Sequence, residues 1–218
     1  MVKVAVCVLG VFAILVAAEM LGRYKILNSE NRRKFVHIAV GSFVASWPWL
    51  ISWQAIQGIG VAMLAVVAIN QQWPIFKFNK NVRRITHGDY FYALAILACT
   101  LLTSNKVFFA LAILHLALAD GFAALVGINF GKYWKYQVFH QSKTVLGSMA
   151  FWLTSLLILG FGTPFAHDHI AFGSYAIILL ALPPLLTLLE NLSVYGIDNL
   201  VVPVVVILVL RLAQSGSL

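Results

Sequence analysis

Apolar residues fall along the chain in eight runs, at about 2–22, 35–53, 55–71, 89–104, 107–128, 145–163, 171–189 and 199–213, with short polar stretches between them. A hydrocarbon core about 30 Å thick takes about 20 apolar residues to cross as a helix. Several runs are shorter than that, and the last, of about fifteen residues, fits either a span or a re-entrant segment. The pattern predicts an all-α fold: a polytopic transmembrane helix bundle of about seven or eight spans. Trp47-Pro48-Trp49 reads as an interfacial anchor and a stop at the end of the second run. Pro183-Pro184, inside the seventh, predicts a kink.

Composition points the same way. Only 10% of the residues are charged and 61% are hydrophobic, whereas soluble domains carry about 25% charged residues. No Pro/Ser-rich linker divides the chain, so residues 1–218 are expected to form a single integral-membrane domain. Cys7 and Cys99 both lie within apolar runs and read as small buried hydrophobes.

The net charge of +8 would suit a nucleic-acid binder, but the cations lie between the apolar runs. There they set topology or meet anionic lipid and phosphate, and no nucleic acid is expected as a partner. Arg23, Lys25, Arg32, Arg33 and Lys34 occupy the first loop, Lys77, Lys80, Arg83 and Arg84 the third, and Lys132, Lys135 and Lys143 the fifth, leaving Lys3, Lys106 and Arg211 elsewhere. If eight helices alternate, those three loops share one side, which the positive-inside rule makes cytoplasmic, with the N-terminus outside. One Lys precedes the first apolar run and five cations follow it, the reverse of a cleaved signal peptide. The expected location is a multi-pass position in a cell inner membrane or an organelle membrane such as that of the ER.

An ionisable residue within an apolar run costs about 2.5–3.5 kcal/mol on insertion scales and marks a candidate site. Asp120 is such a residue. On a helix it shares a face with Ala123, Ala124, Gly127 and Gly131, a strip along which another helix or a ligand's phosphates can approach the backbone. The stretch Gly127 to Lys132 lacks the spacing and the preceding strand of a P-loop. Ser142 is placed to cap the sixth helix, with Lys143 as countercharge for a phosphate at its N-terminus. Lys34, His37 and Gly41 share a face of the second helix, where Arg33 and Lys34 oppose the helix dipole unless an anion lies between them. Glu190, Asp198 and Asn199 complete the set, and Asp198 is either a ligand or the N-cap of the last helix. Elsewhere, Asp89 is expected to cap the fourth helix, Glu19 to snorkel beside Arg23, His115 to pack in the interior, and His167-Asp168-His169 to form a solvated turn.

Asp120, Glu190 and Asp198 offer hard oxygen ligands, and Arg33, Lys34, Lys132 and Lys143 offer phosphate partners. Mg²⁺ takes one or two carboxylates plus substrate phosphates, and phosphoryl transfer needs that metal and basic clamps with little covalent help. A nucleotide would enter from water, and an amphipathic alcohol sideways from the lipid bilayer.

In these residues the chain resembles the CTP-dependent lipid-alcohol kinases, the family of dolichol, phytol and prokaryotic polyprenol kinases. Its Arg-Lys-x-x-His falls on Arg33, Lys34 and His37, and its Asp-x-x-Ala-x-x-x-Gly on Asp120, Ala123 or Ala124, and Gly127, with Gly131 and Lys132 following. Its Lys-[ST]-x-x-Gly-[ST] falls on Lys143, Thr144, Gly147 and Ser148, and its Glu…Asp-Asn on Glu190, Asp198 and Asn199. These motifs run in order over about residues 32–203. The resemblance implies that Mg²⁺-dependent transfer of the γ-phosphate of CTP, or another pyrimidine triphosphate, phosphorylates an isoprenoid alcohol. The acceptor would be phytol, geranylgeraniol, farnesol, or a longer polyprenol or dolichol. On this expectation Asp120 with Asp198 or Glu190 holds the metal, while Lys143, Arg33 and Lys34 neutralise phosphate oxygens. One carboxylate or His37 then takes the alcohol proton. The block from Asp120 to Ser148 is also similar to phosphatidate cytidylyltransferases, whose closing signature is replaced here by Glu190, Asp198 and Asn199. A CTP-dependent diacylglycerol kinase and, outside enzymes, an anion transporter stand as alternatives.

Overall fold

The computed structural model describes residues 2–72, 87–139, 141–166 and 170–216. Each of the eight apolar runs forms helix, as the all-α reading predicts, because hydrocarbon leaves the backbone no other partner for its N–H and C=O groups. The cations Lys77, Lys80, Arg83 and Arg84 and the triplet His167–His169 lie outside the described residues.

Helix α1 (Val2–Arg23) is the most exposed of the long apolar helices, with an exposed apolar surface that includes Leu9, Phe12 and Val16. It lies against α2 (Ser29–Ala45). There Glu19 takes both Arg23, at 3.3 Å, and Arg32 of α2, at 2.9 Å, so the snorkelling carboxylate also ties two helices together. Asn28 caps α2 by accepting from the Asn31 N–H at 2.8 Å. A separate short turn, α3 (Trp47–Leu50), follows around Pro48. Trp47 is fully buried, so it is core and not the interfacial anchor expected; Trp49 keeps the exposed position. Next come α4 (Trp53–Gln72) and α5 (Gly88–Leu102). Helix α5 begins one residue before Asp89, with His87 at the cap position, so Asp89 lies in the first turn and is not the cap.

The centre of the bundle is one continuous helix, α6 (Lys106–Leu114) running through a π-turn at His115–Ala119 into α7 (Asp120–Phe130). Phe108, Phe109, Ile113 and Leu116 along it are fully buried against α2, α8 and α10. His115 is buried as expected, its Nδ1 2.7 Å from the Leu111 carbonyl. Between α7 and α8 (Val145–Gly162) the chain makes a small antiparallel hairpin, β1 (Lys135–Val138) with β2 (Gln141–Thr144), which no apolar period announced. Helix α9 (Phe172–Leu192) runs on through Pro183 and Pro184, and α10 (Asp198–Gln214) through Pro203.

Among the described residues, four helical stretches are long and apolar enough to cross a membrane: Val2–Arg23, Lys106–Phe130, Val145–Ala166 and Phe172–Leu192. Trp53–Ile69 and Gly88–Leu102 are shorter apolar helices.

Candidate active site

Where α7, α9 and α10 come together, Asp120, Glu190 and Asp198 each turn a carboxylate oxygen inward, all within 4.8 Å of one another. Glu190 and Asp198 lie near helix ends, and Asp120 directly follows the π-turn inside the continuous α6–α7 helix. Asp198 is in the first turn of α10, behind Ile197 at the cap position, so its side chain is not the cap.

Two lysines meet this cluster. Lys34, 93% buried on α2, places Nζ 2.8 Å from Asp120 Oδ2. Lys143, on β2, reaches Glu190 Oε1 at 2.5 Å and the Glu190 carbonyl at 3.1 Å. Carboxylates this deep need such partners, since an uncompensated buried charge costs several kcal/mol. Arg33 stands at the rim, its Nη2 2.6 Å from Glu30 Oε1. Burial works against its charge, but the Glu30 hydrogen bond and the charges of Glu30, Asp120 and Asp89 outweigh that and raise its pKa. Asp198, before the apolar run 199–213 begins, is pushed up to about 7 by burial and by the Asp120 and Glu190 charges, against the pull of Lys143 and Lys34.

These groups line a cavity of about 770 Å³, in the range of small-molecule sites. Of the residues singled out in the sequence, Arg33, Lys34, Asp120, Ala123, Ala124, Gly127, Lys132, Ser142, Lys143, Thr144, Gly147, Ser148, Glu190 and Asp198 line it. His37 lies just behind, with Nε2 3.2 Å from Asp120 Oδ2. Asn199 faces elsewhere, its Nδ2 donating to the Gly88 carbonyl at 3.3 Å and joining α10 to the start of α5. Ser142 is not the helix cap: it pairs with Gln137 in the hairpin, and Thr144 caps α8 by accepting from the Gly147 N–H at 3.0 Å. Strand pairing draws in two more residues than expected, and the capping role moves from one hydroxyl to the next.

The small-residue strip on α7 receives a helix. A Cβ on Gly147 would come 2.9 Å from the Ala123 carbonyl and 3.5 Å from Gly127 Cα, so these glycines set how closely α7 and α8 cross. Gly131 packs on the Thr144 side chain, where a Cβ would come to 2.6 Å. Packing thus accounts for all three glycines, with Gly127 and Gly147 also bordering the cavity.

Two residues went unnoticed in the sequence. Tyr136, on β1, fastens the hairpin to the bundle: its hydroxyl is 2.6 Å from Ser148 Oγ and 2.5 Å from Asn191 Oδ1. Tyr92, on α5, turns its ring edge to His37 with centroids 4.9 Å apart. A tyrosine within ten residues of a lysine motif is a weak signal for the first, and the last of three consecutive aromatics, Tyr90-Phe91-Tyr92, at the start of an apolar run is none for the second.

The cavity thus gathers three hard oxygen donors with two lysines paired directly to them. The chain is similar to a phytol kinase of Synechocystis sp., 34% identical over 203 residues that cover 88% of this chain and 82% of the relative. No protein-family model matches the chain, and neither does any solved structure.

Proposed function

The chain belongs to the phytol kinase family, and from that premise we propose that it phosphorylates the hydroxyl of an isoprenoid alcohol, taking the γ-phosphate of CTP at the cytoplasmic face of a membrane. The observation that carries the reading is the convergence of Asp120, Glu190 and Asp198 with Lys34 and Lys143 in one cavity.

Three carboxylates within 4.8 Å are a donor set of the hard-oxygen kind that Mg²⁺ accepts, and they would hold it. When bound, the ion neutralises charge on the triphosphate. Lys34 and Lys143 are then positioned to exchange a carboxylate partner for a phosphate oxygen, and Arg33 and Lys132 extend the positive lining toward the mouth. In the reaction, the alcohol oxygen bonds to the γ-phosphorus, the bond to the bridging oxygen of the nucleoside diphosphate breaks, and the hydroxyl proton passes to a base of the site. The alcohol's chain stays in the bilayer while its head reaches the cavity. The acceptor is phytol, geranylgeraniol or farnesol, or a longer polyprenol or dolichol.

The test supplies purified protein in lipid with γ-³²P-labelled CTP, UTP or ATP, Mg²⁺, and phytol, geranylgeraniol, farnesol or dolichol. Label passing from CTP to one of the alcohols is the expected result. Label passing only from ATP overturns the donor, and labelled pyrophosphate formed with phosphatidate replaces the kinase by a cytidylyltransferase.

A further inference from the structure

The central helix changes its hydrogen-bond step at the residues that lead into Asp120. The Asp120 N–H donates to the carbonyls of His115 and Ala117 and bypasses that of Leu116, its partner in a regular α-helix. Leu116 is 1% exposed, so its carbonyl has no water in place of the lost donor. His37 supplies one: its Nε2 lies 2.7 Å from the Leu116 oxygen. A carbonyl only accepts, so this nitrogen carries a hydrogen. The same Nε2 is 3.2 Å from Asp120 Oδ2, the oxygen that also takes Lys34.

Helix α2 reaches the π-turn because of Gly41. A Cβ there would collide with Ala117 and with the Tyr92 hydroxyl. Tyr92 closes the other side, its ring edge on the imidazole and its hydroxyl donating to the His37 carbonyl at 3.4 Å. Ring orientation and tautomer are therefore set by groups outside the cavity.

We propose that His37 is a positioning residue and not the acceptor of the alcohol proton. The carbonyl released by the π-turn holds its Nε2–H in place, and the polar ring edge so fixed, 3.2 Å from Asp120 Oδ2, sets the carboxylate's orientation. The hydroxyl proton then goes to a carboxylate oxygen of the site. The catalytic half of this proposal rests on the kinase reading; the tautomer does not.

The first measurement is the ¹⁵N spectrum of histidine-labelled protein in lipid, with the His37 signals assigned by their absence in His37→Gln. A protonated Nε2 is expected, and a bare Nε2 overturns the proposal outright. The second compares turnover of His37→Gln, which keeps a side-chain N–H donor but has no ring base, with that of His37→Leu. Gln within about tenfold of wild type, and Leu lower by about a hundredfold or more, is the expected pair, matching the loss of a hydrogen bond to a charged group. If Gln is as inactive as Leu although both unfold at the wild-type temperature, His37 is the base. Should either variant fail to fold, the wild-type spectrum decides. Wild-type protein that phosphorylates no alcohol removes the kinase reading and leaves the tautomer result standing.

Discussion

Lys143 grips Glu190 twice, through the carboxylate at 2.5 Å and through the same residue's backbone carbonyl at 3.1 Å, across forty-seven positions of sequence. The carbonyl belongs to the last turn of α9, where Ser193 also closes the helix, so the lysine binds a helix end and a side chain together. Any anion that enters the cavity competes with that carboxylate for the ammonium.

Replacing Lys143 by Ala removes the countercharge from Glu190 and, on the proposed function, from the nucleotide. The apparent KM for the nucleotide is expected to rise by about tenfold to a hundredfold, the scale of one charge-assisted hydrogen bond. Initial rates across nucleotide concentration measure it, and an unchanged KM would mean that Lys143 only fastens β2 to α9.

Asp120→Asn keeps the shape and a hydrogen-bond acceptor for Lys34 but removes the charge. Turnover should fall by about a thousandfold or more, because the proposed metal ligand and the partner of a buried cation go together. Removing the ionic half of the Lys34 pair also lowers the unfolding temperature in detergent, with a cost of up to about 3–5 kcal/mol. Turnover near wild type in a folded variant would take Asp120 out of the metal set.

On the proposed metal site, the raised pKa of Asp198 makes divalent-ion binding pH-dependent. Below about 7 the carboxyl holds a proton in the free protein, and the ion must displace it. Affinity should therefore fall about tenfold from pH 8 to pH 6, with proton release on binding. Calorimetry in two buffers of different ionisation enthalpy reads both, and a pH-independent affinity would falsify the assignment of Asp198 as a ligand.

Gly147→Ala places a methyl 2.9 Å from the Ala123 carbonyl and forces α7 and α8 apart. The expected cost is about 1–3 kcal/mol, read as a lower unfolding temperature. Gly58→Ala, on α4, meets nothing within 4 Å and should be neutral or stabilising by about 0.4–1 kcal/mol. Equal effects of the two changes would show that the crossing tolerates a wider gap.

The helices were legible because hydrocarbon imposes a length and a composition on them, and the carboxylates because each interrupts or ends an apolar run. Asp120, Glu190 and Asp198 stood out for that reason, and they meet. What could not be read was local bookkeeping of hydrogen bonds. Within residues 135–144 only Lys135–Val138 alternates polar and apolar, a period too short to announce a hairpin, and the transfer of the α8 cap from Ser142 to Thr144 stayed hidden with it. The π-turn was equally silent, since one bypassed carbonyl leaves no mark on a pattern of hydrophobic spacing. Trp47 misled for a different reason: a tryptophan beside a proline at a run's end suits an interface as well as a core, and packing against Phe43 decided it.

The three carboxylates come from α7, α9 and α10, separated by as many as seventy-eight positions along the chain. A ligand spanning them is thus a clamp on the tertiary arrangement itself, absent from any partly assembled bundle. Occupancy and folding are linked through mass action: at a hundred times its dissociation constant such a ligand adds about 2.7 kcal/mol to the native state. Nucleotide and divalent ion present during detergent extraction should therefore act as pharmacological chaperones, and the gain in recovered protein would rank candidate ligands before any turnover is measured.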